Sequence, residues 1–378
     1  MHLAPAPLTL EDLGWTSHFE GELARLTSVA PNLLPARVTE ESKNLYRVRS
    51  AHGEYLADIA GKLRHSASSR TDIPAVGDWV AITARAGENR ARIDAILPRK
   101  TKLSRKVAGR TLEEQIVATN IDTVFVVASL NLELNPRRVE RYLAVVWESG
   151  AQPVVLLNKS DLCDDAAARL YEVEQIALGV DVHLISATEQ IGLDVVRKYL
   201  RRGRTAAFVG SSGVGKSTLI NALTGSFAGP AALSTQSVRE SDDRGRHTTT
   251  SRQMIFLPPR TGTESAGDAT AGILIDTPGM REIALWDASS GTLAVFDDIL
   301  QLAENCKFRD CTHRGEPGCA VTVAAESGAL DPERLENYFK LQAEMAFQER
   351  KVDPEKARET KEKWKQIHKA MRNASPKK

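Results

Sequence analysis

The stretch "VVLLNKSDLC", Val154 to Cys163, and the later "GSSGVGKST", Gly210 to Thr218, decide the fold by their order. The first reads as a buried apolar strand ending in a loop with Asn158, Lys159, Ser160 and Asp161. The Asp161 carboxylate can accept from guanine N1–H and the 2-amino group; adenine offers neither donor there. Asn158 can support the purine edge or a neighbouring loop, and the Lys159 stem can cover the ring. The second stretch fits G-x-x-x-x-G-K-[ST], between the apolar strand "TAAFVG" and the helical stretch "KSTLINALTG". In an ordinary guanine-nucleotide domain the phosphate loop comes first. Here it comes second, so either one motif is accidental or the domain is rearranged.

The flanking residues favour rearrangement. Gly210, Ser211, Ser212, Gly213, Val214 and Gly215 form a loop whose glycines let backbone N–H groups wrap phosphates at a helix N-terminus. Lys216 is placed to reach the β- and γ-phosphates, and Ser217, followed by Thr218, to ligate Mg²⁺. "DTPG" closes the strand "GILI", offering the Asp276 carboxylate to the metal shell and the Gly279 N–H to a γ-phosphate. "SAT", with Ser186 and Ala187 after the strand "VDVHLI", suits a backbone contact to guanine O6. The order is base reader, second base loop, phosphate loop, "DTPG". That is a circular permutation, with the usual ends joined near "VVRKYLRRGRTAAFVG"; close termini make such a joint sterically feasible.

Around these motifs, strands alternate with helical stretches from about 112 to 286, which predicts a mostly parallel sheet with helices on both faces. One helix is written out fully in "NPRRVERYLAVVWESG": Asn135 as N-cap, Pro136 at the first position, Gly150 as stop. Residues 1–36 are Pro-punctuated and read as an extension with one short helix at most. Residues 37–98 carry "NLYRVRS", "EYLADIA", "GDWVAIT" and "ARIDAIL", short β-like segments between turns. They predict a small barrel, most simply OB-like, serving either as an RNA contact or as a spacer. Residues 99–111 form a basic linker, "RKTKLSRKVAGR" in its core, which either touches phosphates or is merely solvated. From 287 to 378 come a loop-rich segment and a helical tail. The last 28 residues carry ten Lys/Arg against four Asp/Glu.

Cys306, Cys311, His313 and Cys319 form C-x4-C-x-H-x5-C. Three thiolates and an imidazole make a complete tetrahedral set, which suits one structural Zn²⁺; buried free cysteines are the alternative. Cys163 has no such neighbours and reads as a packed thiol. Four cysteines in 378 residues build no disulfide framework, and a reducing cytoplasm fits best. The first residues lack a secretory pattern, and no apolar run spans a membrane. A formal charge of +1 means that any nucleic-acid contact comes from local patches.

Taken together, barrel, "NKSD", "SAT", "GSSGVGKST", "GRHTTT", "DTPG", Cys/His cluster and helical tail resemble the circularly permuted, small-ribosomal-subunit-dependent GTPases of the RsgA (YjeQ) family. The resemblance covers nearly the whole chain, and motif order is its most specific part. It implies a monomeric enzyme that hydrolyses GTP with Mg²⁺, binds rRNA, is stimulated by the small subunit and acts late in its maturation. It also implies that "STQSVRESDDRGRHTTTSRQM" is the first switch. Thr249, or its neighbours Thr248 and Thr250, would reach Mg²⁺ and the γ-phosphate. Met280 follows "DTPG", so the water-orienting Gln of Ras-like enzymes is absent there and the intrinsic rate is expected to be low. His247 is then either the substitute or a solvated loop residue. Two other classes share parts of the pattern. An RNA-binding assembly factor would use the site as a switch without turnover; an ATP-dependent small-molecule kinase would leave "NKSD" and "SAT" unexplained.

Overall fold

The structure, a computed structural model, describes residues 8–42, 45–106, 114–130, 134–225, 252–258, 271–276 and 295–352. His247, Thr249, Gly279 and the chain beyond 352 therefore lie outside the described residues.

Five strands close the expected N-terminal barrel. Strand β1 (Leu34–Ser42) pairs with β2 (Leu45–Ser50), and β2 with β3 (Gly53–Ile59). β3 runs parallel to β5 (Arg90–Ile96); β5 pairs with β4 (Trp79–Ala84), and β4 returns to β1. Alternation explains β2 and β5: Tyr46, Val48, Ala91 and Ile93 point inward, while the residues between them are exposed or partly so. β1 shows no such alternation and begins at Leu34, upstream of the expected boundary. Its central residues are buried on both faces, because Arg37 points away from the barrel into the rest of the molecule. Arg37 is fully buried. Its guanidinium donates to Leu13 O, Gly77 O, Asn120 O and Thr205 Oγ1, joining the N-terminal segment, barrel and central domain. Burial lowers its pKa to about 10, against the pull of Asp122 and Asp78, so it stays charged at neutral pH.

Among its described residues the N-terminal extension contains one helix, α1 (Ser17–Val29), whose Phe19 packs with Trp15 and Trp79; a short α2 (Gly61–Ser66) follows β3. The basic segment after the barrel is more ordered than a linker. Arg99 forms an ion pair with the buried Asp78 at 2.7 Å and also donates to Thr71 O and Ile73 O. Residues Lys102–Lys106 form β6, which pairs with β7 (Glu114–Thr119).

The central sheet runs β10 (Asp181–Leu184), β9 (Gln152–Asn158), β8 (Thr123–Ser129), β11 (Thr205–Val209), β13 (Ile273–Asp276), β12 (Gln253–Phe256). The first five are parallel, and β12 is antiparallel to β13. One residue pair, Glu40 with Gln253, continues this sheet into the barrel strand β1. The apolar strands look continuous in sequence because both faces are covered. Val124, Val126, Val155 and Leu157 face one side; Phe125, Val127, Val154 and Leu156 face the other.

Helix α3 (Pro136–Glu148) covers the first face. The expected cap is present: Asn135 Oδ1 accepts from Arg138 N at 3.1 Å, Pro136 opens the helix, and Gly150 lies beyond its end at φ +80°. It buries Val139, Leu143 and Val146, each worth about 1.5–3 kcal/mol on full burial. α4 (Ala166–Ile176) shares this face. α5 (Leu193–Tyr199) and α6 (Lys216–Thr224) cover the other. The C-terminal segment does not stand apart. Phe296 and Ile299 of the region around α7 (Asp297–Ala303) join the hydrophobic cluster that includes α3, as do Val321 of α8 (Ala320–Glu326) and Tyr338 of α9 (Pro332–Val352).

Candidate nucleotide site and cysteine–histidine cluster

Parallel pairing puts the C-terminal ends of five strands on one edge of the sheet. There the "NKSD" loop leaves β9, "SAT" follows β10, the phosphate loop leaves β11 and Asp276 ends β13. Open α/β sheets bind ligands at this edge, where strand order reverses. The reversal falls between β8 and β11: the chain builds β8, β9, β10 outward, then returns beside β8.

Glycine is demanded where the phosphate loop turns. Gly210 has φ +143°, and a Cβ there would lie 2.2 Å from Val127 O. Gly215 has φ +96°, and a Cβ would lie 2.3 Å from Asn158 Nδ2. Lys216 Nζ donates to the carbonyls of Gly210 and Ser211, both at 2.6 Å, which holds its ammonium over the loop. Val214 is buried and anchors the loop, whereas Ser212, Gly213 and Ser217 are exposed; Ser211, Gly215 and Thr218 lie between these extremes.

The base-side residues divide by burial. Asn158 is 2% exposed, and its amide spans two loops: Nδ2 donates to Val214 O at 2.7 Å, and Oδ1 accepts from Ala187 N at 3.0 Å. Of the two supporting roles expected for Asn158, the geometry favours the neighbouring loops. Asp161 is exposed, with no hydrogen-bond or ion-pair partner among the described residues. Lys159 adopts a left-handed conformation, φ 64°, which starts the tight turn carrying Asp161. Ser160 N donates to Ile185 O, and the buried Ser186 Oγ accepts from Glu189 N, so the "NKSD" and "SAT" loops brace each other. Asp276 is half-buried at the end of β13.

The second centre is the cluster Cys306, Cys311, His313 and Cys319. All four donor atoms lie within 4.8 Å of one another. Cys306 Sγ is 3.9 Å from Cys319 Sγ, and His313 Nδ1 lies 3.6 and 3.5 Å from those two sulfurs. A tetrahedron with metal–sulfur bonds of about 2.3 Å has edges of roughly 3.8 Å, so the set fits zinc. The imidazole presents Nδ1, and His313 reaches that position in a left-handed conformation, φ 60°. Burial opposes ionisation of Cys319, yet hydrogen bonds from Thr322 and its neighbours outweigh it and bring the thiol down to about 6.

Sequence reasoning missed Glu316, whose carboxylate accepts from Thr312 N, Thr312 Oγ1 and Arg314 N. These bonds, led by the Thr312 hydroxyl, hold its pKa near 2 and close the loop between Cys311 and Cys319. A lone carboxylate four residues after a threonine carries no distinctive signal. Arg37 and Arg138 were missed for a different reason: their partners lie in other parts of the chain.

The central region, residues 96–286, matches the family model described as RsgA GTPase. The small ribosomal subunit biogenesis GTPase RsgA of Opitutus terrae is 43% identical over 374 residues, covering 97% of each chain. RsgA 2 of Lactiplantibacillus plantarum is 46% identical over 312 residues, covering 82% of this chain and 83% of that one. Among solved structures, YjeQ from Thermotoga maritima superposes with a TM-score of 0.59 at 25% identity, covering 83% of this chain and 98% of its own. YloQ, described as a circularly permuted GTPase, gives 0.57 at 22% identity, over 83% and 95%, and supports the fold alone. On sequence, motif order and fold alike, this chain belongs to the RsgA GTPase family.

Proposed function

We propose that this chain is a guanine-specific GTPase that acts in small-ribosomal-subunit biogenesis, with turnover stimulated by contact with that subunit and its rRNA. The observation that carries the reading is the double hydrogen bond of Asn158, which ties the base-reading side of the sheet edge to the phosphate loop.

In this reading Asp161, exposed and without a partner among the described residues, accepts from the guanine edge. Lys159 covers the ring, and the backbone of Ser186 and Ala187 meets O6. Lys216 and the N–H groups of 210–218 cradle the phosphates, and Ser217 and Asp276 hold Mg²⁺, joined by Thr249. His247 would orient the attacking water and Gly279 would meet the γ-phosphate. When bound by Ser217, Asp276 and Thr249, Mg²⁺ would supply charge neutralisation at the phosphates. The protein residues fix geometry, which is most of what phosphoryl transfer requires. One structural zinc, held by Cys306, Cys311, His313 and Cys319, would fix the segment between α7 and α8. No helix among the described residues is long and apolar enough to cross a membrane, and we place the protein, as a monomer, in the cytoplasm.

Phosphate release from GTP, measured with and without purified small subunits and in competition with ATP, tests the proposal. Faster release with subunits and no competition from ATP are expected. Unchanged release would leave a nucleotide-binding assembly factor, and effective competition by ATP would remove the guanine assignment.

A further inference from the structure

The strand-order reversal puts the C-terminal ends of β8 and β11 side by side, and the phosphate loop leaves the second. Helix α3 begins just beyond the first, and in its first turn Arg138 Nη1 donates to Ser211 Oγ of the phosphate loop at 2.9 Å. Arg138 is exposed and has no carboxylate partner among the described residues. Arg137 is paired with Glu333 at 2.6 Å and with Glu336 at 3.9 Å. Lys216, the other cation at the loop, converges on the same residue through Ser211 O. Two cations thus meet at Ser211, and among the described residues no Asp or Glu side chain pairs with Arg138.

The helix that carries Arg138 is firmly held. Glu140, 3% exposed, accepts from Arg334 Nη1 at 2.9 Å and from Asn337 Nδ2 at 3.2 Å, both on α9. Arg334 also clamps Asp298 of α7 at 2.6 and 2.9 Å. The first turn of α3 is therefore fixed on one side by the C-terminal segment and aims a guanidinium at the phosphate loop on the other.

We propose that Arg138 is an in-chain phosphate-contacting arginine. It exchanges the Ser211 hydroxyl for phosphoryl oxygens of the loop-bound nucleotide and stabilises the charge that develops during hydrolysis. A planar guanidinium can donate two parallel hydrogen bonds to a phosphoryl group, which the Lys216 ammonium cannot do in the same plane. The chemical step is ordinary hydrolysis. A water oxygen bonds to the γ-phosphorus, and the bond to the β–γ bridging oxygen breaks with its electron pair leaving on GDP. The water proton passes to phosphate or solvent. Arg138 donates hydrogen bonds only and transfers no proton. The inference rests on the GTPase reading above and adds to it a residue from outside the nucleotide motifs.

The test compares Arg138→Met and Arg138→Lys with Arg137→Met, which removes the same charge one residue earlier. Single-turnover GTP hydrolysis without subunits is measured beside GDP affinity and the affinity for GDP with aluminium fluoride, a mimic of the transferring phosphoryl group. Arg138→Met is expected to slow hydrolysis by about 10²-fold, the usual effect of deleting one aimed donor, and to weaken the aluminium fluoride complex similarly. GDP affinity should change by less than about threefold, Arg138→Lys should fall between, and Arg137→Met should match the wild type. Parallel losses in GDP affinity and rate would mean that Arg138 only shapes the loop. A loss confined to subunit-stimulated turnover would make it a docking residue. Either result, like an unchanged rate, overturns the proposal. Failure of the wild type to hydrolyse GTP would instead remove the functional reading on which it rests.

Discussion

Asn158 and Val214 lie 56 residues apart in sequence, yet the amide of one donates to the carbonyl of the other at 2.7 Å. β9 and β11 are not neighbours, since β8 lies between them, so this bond crosses a strand to couple the two halves of the nucleotide site. It also explains Gly215, because the same amide nitrogen occupies the place a Cβ would need.

Asn158→Ala removes both bonds and leaves Val214 O and Ala187 N without their partner. A buried polar group left unpaired costs about 1–3 kcal/mol, so GDP affinity should fall by about 10- to 100-fold with the fold retained. Equilibrium titration with GDP reads this directly. Unaltered affinity would show that the coupling does not organise the site.

Asp161→Asn should exchange guanine preference for xanthine, since the amide can donate where the carboxylate accepted. Sites built around a particular hydrogen-bonding edge reject mismatches by about 10⁴–10⁵. Competition of GTP, XTP and ATP for the variant measures it. A GTP preference equal to that of the wild type would detach Asp161 from base reading.

Cys311→Ala should lose the zinc and loosen residues 306–319, since the binding free energy of such sites is local folding free energy. The nucleotide loop is built on β11 and α6 and should keep its GDP affinity. Elemental analysis of the wild type, purified without chelators, should give about one zinc per chain. Less than about half an equivalent would count against the site.

Glu140 supplies a pH dependence. Burial raises its pKa to about 7 from 4.5, with Arg334 opposing the shift. The folded chain then holds this proton more tightly than the unfolded chain. The resulting stabilisation is complete below about pH 4.5 and is lost as pH rises through about 7. Glu140→Gln should flatten this part of the stability profile, read by urea unfolding at pH 5 and pH 8. Identical slopes for variant and wild type would rule the carboxyl out as the source.

Arg37→Met leaves four acceptors, Leu13 O, Gly77 O, Asn120 O and Thr205 Oγ1, without their shared donor. At about 1–3 kcal/mol for each unpaired group, reduced by relaxation, a loss of about 3–5 kcal/mol is expected. Denaturant melts should show it as one cooperative shift, because the residue joins barrel to central domain. A loss below about 1 kcal/mol would mean that water replaces the guanidinium.

The strands, the Asn135 cap and the nucleotide motifs were legible because each is a local requirement of the backbone or of one ligand group. The start of β1 in "LPARVTEES" was hard to place because Pro35 and polar residues interrupt it, and nothing in the sequence marks Arg37 as buried. Residues 102–106 looked like a charged linker because short strands paired only with one another carry little apolar signal.

By itself the sequence determined the chemistry offered at each loop and the permuted order, since motif order along a chain is one-dimensional information. Only the tertiary structure decided which loops touch. The contacts Asn158–Val214, Arg138–Ser211 and Arg37–Thr205 each depend on how distant segments pack around the sheet. That packing is set by the summed burial of both sheet faces rather than by the residues that end up in contact.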